Sequence, residues 1–172
     1  MALDWLIDGL RRAHRRWLRP DARNALAVAL TLVEHDRWPR GIDTFPQRRV
    51  VVLAPHPDDE AIGCAGAILR HVQAGAQVSV IQLSDGRWGD RRLHDATRDA
   101  SQRQALQAAL VDTRRAEAQA WAKAAGCQVR FLEAHDGALG PRADWAQRLA
   151  GWLDELQPDL VYLPFVGELP ED

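Results

Sequence analysis

A chain of 172 residues, 47% hydrophobic and 27% charged, with a formal net charge of −2, is long enough to bury a core. That balance excludes a general nucleic-acid binder, which needs a clear basic excess. No apolar run reaches the ~18 residues of a membrane-spanning helix, Ala25 to Val33 being the longest candidate. Cys64 and Cys127 are too few and too far apart for a disulfide framework, and the opening Met-Ala-Leu-Asp-Trp lacks a secretory n-region, so a cytoplasmic protein is expected.

Leu3, Leu6, Ile7, Leu10, Trp17 and Leu18 recur at helical spacing, with Asp4 and Asp8 at the start and Arg15, Arg16 and Arg19 at the end, as the helix dipole favours. Pro20 stops this helix, and a second is expected from about Asp21 to His35. The basic stretch Arg11–Arg19 reads as the polar side of a helix whose Leu/Trp face packs on the domain or on a partner, in preference to a contact with a membrane surface or an anionic polymer. Pro39, Gly41 and Pro46 mark a connector.

From there the pattern alternates. Strands are expected at 49–54, 77–83, 128–132 and 160–163. Helices are expected at about 59–73, 102–125 and 141–156, with Gly126 as a C-cap and a charged loop at 87–100. Such alternation predicts parallel strands joined by right-handed crossovers. The expected architecture is an α/β Rossmann-like three-layer sandwich with a mostly parallel sheet and an N-terminal helical appendage. The domains divide as 1–45 and 46–172. Gly63 and Gly66 are expected to let the first crossover helix approach the sheet, and Trp145 and Trp152 to pack from one face of the last helix.

Directly after the run Val50-Val51-Val52-Leu53-Ala54 stands Pro55-His56-Pro57-Asp58-Asp59-Glu60. The prolines end the strand and leave an imidazole and three carboxylates at its carboxyl end, where open α/β sheets place ligands. So many ionisable groups in one turn repel or desolvate at a cost unless a cation sits among them, and a divalent metal meets that need.

The stretch Ala54-Pro55-His56-Pro57-Asp58-Asp59-Glu60, followed by Ala61-Ile62-Gly63-Cys64-Ala65-Gly66, resembles the signature of the LmbE-like, or PIG-L-type, N-deacetylases. The resemblance implies a zinc-dependent hydrolase that removes acetyl groups from N-acetylglucosamine-type sugars or glycoconjugates. It implies His56 and Asp59 as zinc ligands, Asp58 as the general base, and Glu60 as a group that orients a ligand or steadies the loop. Asp85, Arg87 (or Arg92) and Asp136, in turns after the second and third strands, are expected to contact substrate. Arg114 and Glu117 match the family's Arg-x-x-Glu, as an i, i+3 ion pair or a substrate contact. Trp88 is a candidate sugar-stacking ring.

The resemblance next asks for a C-terminal histidine element, where the chain instead reads Leu163-Pro164-Phe165-Val166-Gly167-Glu168-Leu169-Pro170-Glu171-Asp172. The expectation is therefore the N-terminal part of a longer deacetylase, missing its third ligand. The alternative is a non-catalytic binding module of the same fold, assembling through its N-terminal helices. His135 is the best-placed substitute ligand, while His71 and His94 read as solvated surface residues.

Overall fold

The structure, a computed structural model, describes residues 42–95, 97–137 and 143–164. The two N-terminal helices expected from the sequence lie outside the described residues. In chain order the elements are β1 (Arg49–Ala54), α1 (Asp59–Gln73), β2 (Gln77–Ser84), a 3-10 turn (Arg91–His94), α2 (Ala100–Ala125), β3 (Gln128–Ala134), α3 (Ala143–Leu156) and β4 (Leu160–Tyr162). All lie within the unit Thr44–Leu163.

The strands form one sheet in the order β3-β2-β1-β4, and every neighbouring pair is parallel. Val50, Val51, Val52 and Ala54 are each only 1% exposed, although successive side chains point to opposite faces. Both faces of β1 are thus covered, which explains why a continuous β-branched run sits there rather than an alternating one. On one face Val50, Val52, Ala54, Val78 and Val80 pack with Ile68 of α1 and Ala125 of α2, joined by Cys64, Val72, Trp121 and Val129. On the other, Arg130 of β3 pairs with Glu155 of α3 at 2.7 Å and lies over the half-buried Trp152 ring. Adjacent residues 129 and 130 therefore face different helix layers, which makes three layers.

Chain direction explains the layering. The path β1-β2-β3 advances one way, and right-handed crossovers keep α1 and α2 on one face. The chain then returns through α3 to β4, on the far side of β1. The reversal puts a topological switch point between β1 and β4, and the residues after β1 stand at its carboxyl mouth.

Two expectations about α1 are corrected. Gly63 and Gly66 are exposed, and a Cβ at either would meet no described atom within 4 Å. The inward phase is carried by Glu60, Cys64, Ile68, His71 and Val72 instead. His71, expected in solvent, is 1% exposed. Its Nε2 lies 3.0 Å from the Tyr162 hydroxyl, and its ring meets Phe45 edge-on. Burial lowers its pKa, with the charge of Asp159 opposing. Among the described residues no helix is long and apolar enough to cross a membrane.

Candidate active site

Pro55 and Pro57 cannot donate to a ladder, so β1 ends at Ala54 and the chain turns. The turn is knitted from inside. Asp59 N donates to the His56 carbonyl at 3.3 Å. The Asp59 carboxylate accepts from His56 N at 2.9 Å and lies 3.3 Å from His56 Nδ1. Asp58 occupies the N-cap position of α1 with φ 111° and ψ −22°, yet its side chain makes no capping bond. Its Oδ2 instead lies 3.4 Å from Arg114 of α2, which also reaches Glu117 at 3.5 Å. Arg114 thus serves both carboxylates rather than the i, i+3 pair alone. Asp59 and Glu60, in the first turn of α1, sit where the helix dipole favours negative charge.

Glu60 is 3% exposed. Its Oε2 accepts from Asp58 N at 3.3 Å and its Oε1 from Gln82 Nε2 of β2 at 3.0 Å. The sequence reading missed Gln82. A long polar side chain flanked by Ile81 and Leu83 in the strand was the available signal, and the one-to-one register of β1 with β2 is what brings it under Glu60.

The turns after β2 and β3 complete the rim. Gly86 has φ 64°, and a Cβ there would meet Pro57 Cδ at 2.9 Å, so only glycine lets the two turns touch. Arg87 grips Asp85 through Nε at 2.9 Å and Nη2 at 2.6 Å, and Asp136 N donates to Asp85 Oδ1 at 3.2 Å. Burial pushes the Asp85 pKa up, but these hydrogen bonds outweigh it and hold the carboxyl below its ordinary range. In β3 the pairing shifts register beside Gln82 and Ser84, and Glu133 takes φ 64°. This bulge re-aims the strand end, and Asp136 Oδ1 comes to 3.3 Å from His56 Nε2. Asp136 Oδ2 also accepts from Trp88 N at 3.3 Å.

The three strand ends thus bring together His56, Asp58, Asp59, Glu60, Asp85, Arg87 and Asp136. Arg92 pairs with Asp90 on the exposed 3-10 turn, Trp88 lies beside His94, and His135 is exposed. Five carboxylates face the guanidiniums of Arg87 and Arg114, which leaves a negative surplus. Burial first, then the charges of Asp59 and Glu60, pushes Cys64 up, and burial with Glu60 does the same to Cys127.

An imidazole beside a carboxylate is a donor pair that zinc accepts. The two carboxylates at His56, however, lie on opposite edges of its ring, Asp59 at Nδ1 and Asp136 at Nε2. A cation on either nitrogen therefore meets one of them. Accordingly, among the described residues no group of three His, Cys, Asp or Glu is arranged to hold a metal ion. The donors present fit two of the three protein ligands of a catalytic zinc. A cleft of about 130 Å³ opens beside Asp58, lined by Pro57, Asp58, Ala61, Arg114, Ala118 and Trp121 among others.

Known proteins resemble this chain in sequence or in fold. The 4-oxalmesaconate hydratase of Pseudomonas putida is 30% identical over 127 residues, covering 74% of this chain and 47% of its own length. The crystal structure of GalB, the 4-carboxy-2-hydroxymuconate hydratase of P. putida, superposes with a TM-score of 0.56 at 29% identity, covering 66% of this chain and 45% of that one. The N,N'-diacetylchitobiose deacetylase of Pyrococcus horikoshii shares the fold, with a TM-score of 0.58 at 23% identity over 81% of this chain and 51% of that one. The chain spans about half the length of these relatives. The PIG-L family, described as GlcNAc-PI de-N-acetylase, matches residues 51–171, which include the whole β1–α1 turn. The chain belongs to the PIG-L family.

Proposed function

We propose that this chain carries the nucleophile-activating half of a zinc-dependent N-deacetylase acting on an N-acetylglucosamine-type sugar or glycoconjugate. The observation that carries this reading is the turn after β1. His56 and Asp59 stand together there as a donor pair, while Asp58 is turned away from its helix cap. His56 and Asp59 would hold the ion, with a third ligand from outside the described residues. Zinc, when bound, supplies a Lewis acid that acidifies water and polarises an amide carbonyl.

The chain's own residues divide the remaining work. Asp58 accepts the proton of the attacking water, and an uncapped carboxylate has a lone pair available for it. Arg114, 3.4 Å away, holds that carboxylate toward the cleft between α1 and α2. Asp136 and the Arg87–Asp85 pair offer acceptors and donors to sugar hydroxyls at the same mouth. Acetate and a free amine are the products.

The hydratase relatives support a second reading, the addition of water to an unsaturated polycarboxylate. The charge of the rim favours the sugar. Even with a divalent zinc counted, five carboxylates against two guanidiniums leave the rim negative, which disfavours a polyanion and tolerates a neutral ring. The test is acetate release from N-acetylglucosamine by the zinc-loaded protein, beside loss of absorbance from 4-oxalmesaconate. The expected result is acetate release that falls by about a thousandfold in Asp58→Asn. Hydration without acetate release would overturn the deacetylase reading.

A further inference from the structure

We propose that Gln82 is a positioning residue for Asp58, acting through Glu60. This rests on the reading of Asp58 as the base. Gln82 is 1% exposed, in a strand whose neighbours Val80 and Ile81 are fully buried. Its Oε1 has no hydrogen-bond partner among the described residues. An apolar side chain would spare β2 that buried, unmatched acceptor. What the amide supplies is one donor, Nε2, placed 3.0 Å from Glu60 Oε1.

Glu60 is nearly as buried, so its carboxylate needs donors. It has the Gln82 amide on one oxygen and Asp58 N on the other, at 3.0 and 3.3 Å. The strand, through these two bonds, grips the backbone of the one residue in the turn that holds a left-handed conformation without being glycine, at φ 111°.

The grip decides where the Asp58 carboxylate points. An aspartate at an N-cap ordinarily takes an extended φ and bonds the amide of the second or third helical residue. In that relaxed state the carboxylate would be spent on the end of α1. With its N–H held by Glu60, Asp58 stays in the left-handed state, makes no capping bond, and extends toward Arg114. Gln82 thus keeps the base out of its own helix cap. The bonds run from a buried strand to a strained turn, the kind of support that holds a reacting group in place.

The test uses three proteins: wild type, Gln82→Met, and the swap Gln82→Glu with Glu60→Gln. The swap reverses donor and acceptor between the two positions and preserves both bonds. Amide hydrogen exchange is read at Asp58 and, as a control for folding, at Val51 and Val52. Gln82→Met should speed exchange at Asp58 by about tenfold while the strand amides stay protected, and the swap should restore it. Unchanged Asp58 exchange in Gln82→Met would overturn the proposal, as would a swap that folds but exchanges as fast as the single variant. On N-acetylglucosamine, Gln82→Met should lower kcat by about tenfold or more with KM nearly unchanged. A wild-type protein without acetate release sinks the deacetylase reading and leaves the exchange result to judge Gln82 by itself.

Discussion

The two rims of the sheet are built from similar residues and do different things. At the amino rim the Asp159 carboxylate accepts from Arg48 N and Arg49 N at 2.9 and 2.8 Å and ties the start of β4 to the start of β1. Those backbone bonds hold its pKa below the ordinary value. Glycine takes the left-handed positions that close α1 and α2, Gly75 and Gly126, and Gln157 takes the one after α3 at φ 45°. At the carboxyl rim Asp58 and Glu133 hold positive φ, a histidine stands between two carboxylates, and five carboxylates meet two guanidiniums. One rim satisfies its groups locally. The other gathers more carboxylates than cations, so the difference between the rims lies in charge rather than in backbone strain, which Gln157 also carries at the amino rim.

Replacing the strained residue should break that contrast most sharply. Asp58→Gly relieves the left-handed backbone and removes the proposed base. Acetate release should fall by about a thousandfold while stability to denaturant rises by about 1 kcal/mol. A loss of both would mean that Asp58 serves the fold. Gly86→Ala should do the reverse of relief, since its Cβ would meet the rigid Pro57 ring at 2.9 Å with φ at 64°. A destabilisation of about 2 kcal/mol is expected by denaturation. At the amino rim, Asp159→Ala should lower the melting temperature by less than Gly86→Ala and leave turnover unchanged, because its bonds only join two strand ends.

The smallest effect is a pH dependence. His71 titrates near its ordinary 6.5 in the unfolded chain and below that when folded, because burial disfavours its charged form. Its contribution is complete above pH 6.5 and is lost as pH falls through the folded value, since only the unfolded chain binds the proton readily. His71→Phe should flatten the stability profile below that pH, read from melting temperature against pH.

The fold was legible because its main features are local. The β-branched run before two prolines, the Gly126 cap and the alternation of periods do not depend on distant residues, and the sheet follows from crossover handedness. Helix phase was less legible. Ile62 looks as apolar as Ile68, yet it is 81% exposed while Ile68 is fully buried, and the glycines beside it drew attention to the outward face. The residues of the rim could be named singly from their turns. Their pairings could not, because these depend on register and on a bulge. Gln82 meets Glu60 only through the alignment of β2 with β1, and Asp136 meets His56 only after β3 shifts beside Ser84.

The most direct test of the carboxyl rim is calorimetric titration of zinc into the wild-type protein, His56→Ala and Asp59→Ala. One zinc per chain in the wild type is expected, with affinity at least about 100-fold weaker in either variant. No binding by the wild type, or equal affinity in the variants, would contradict the assignment of this rim as a metal site.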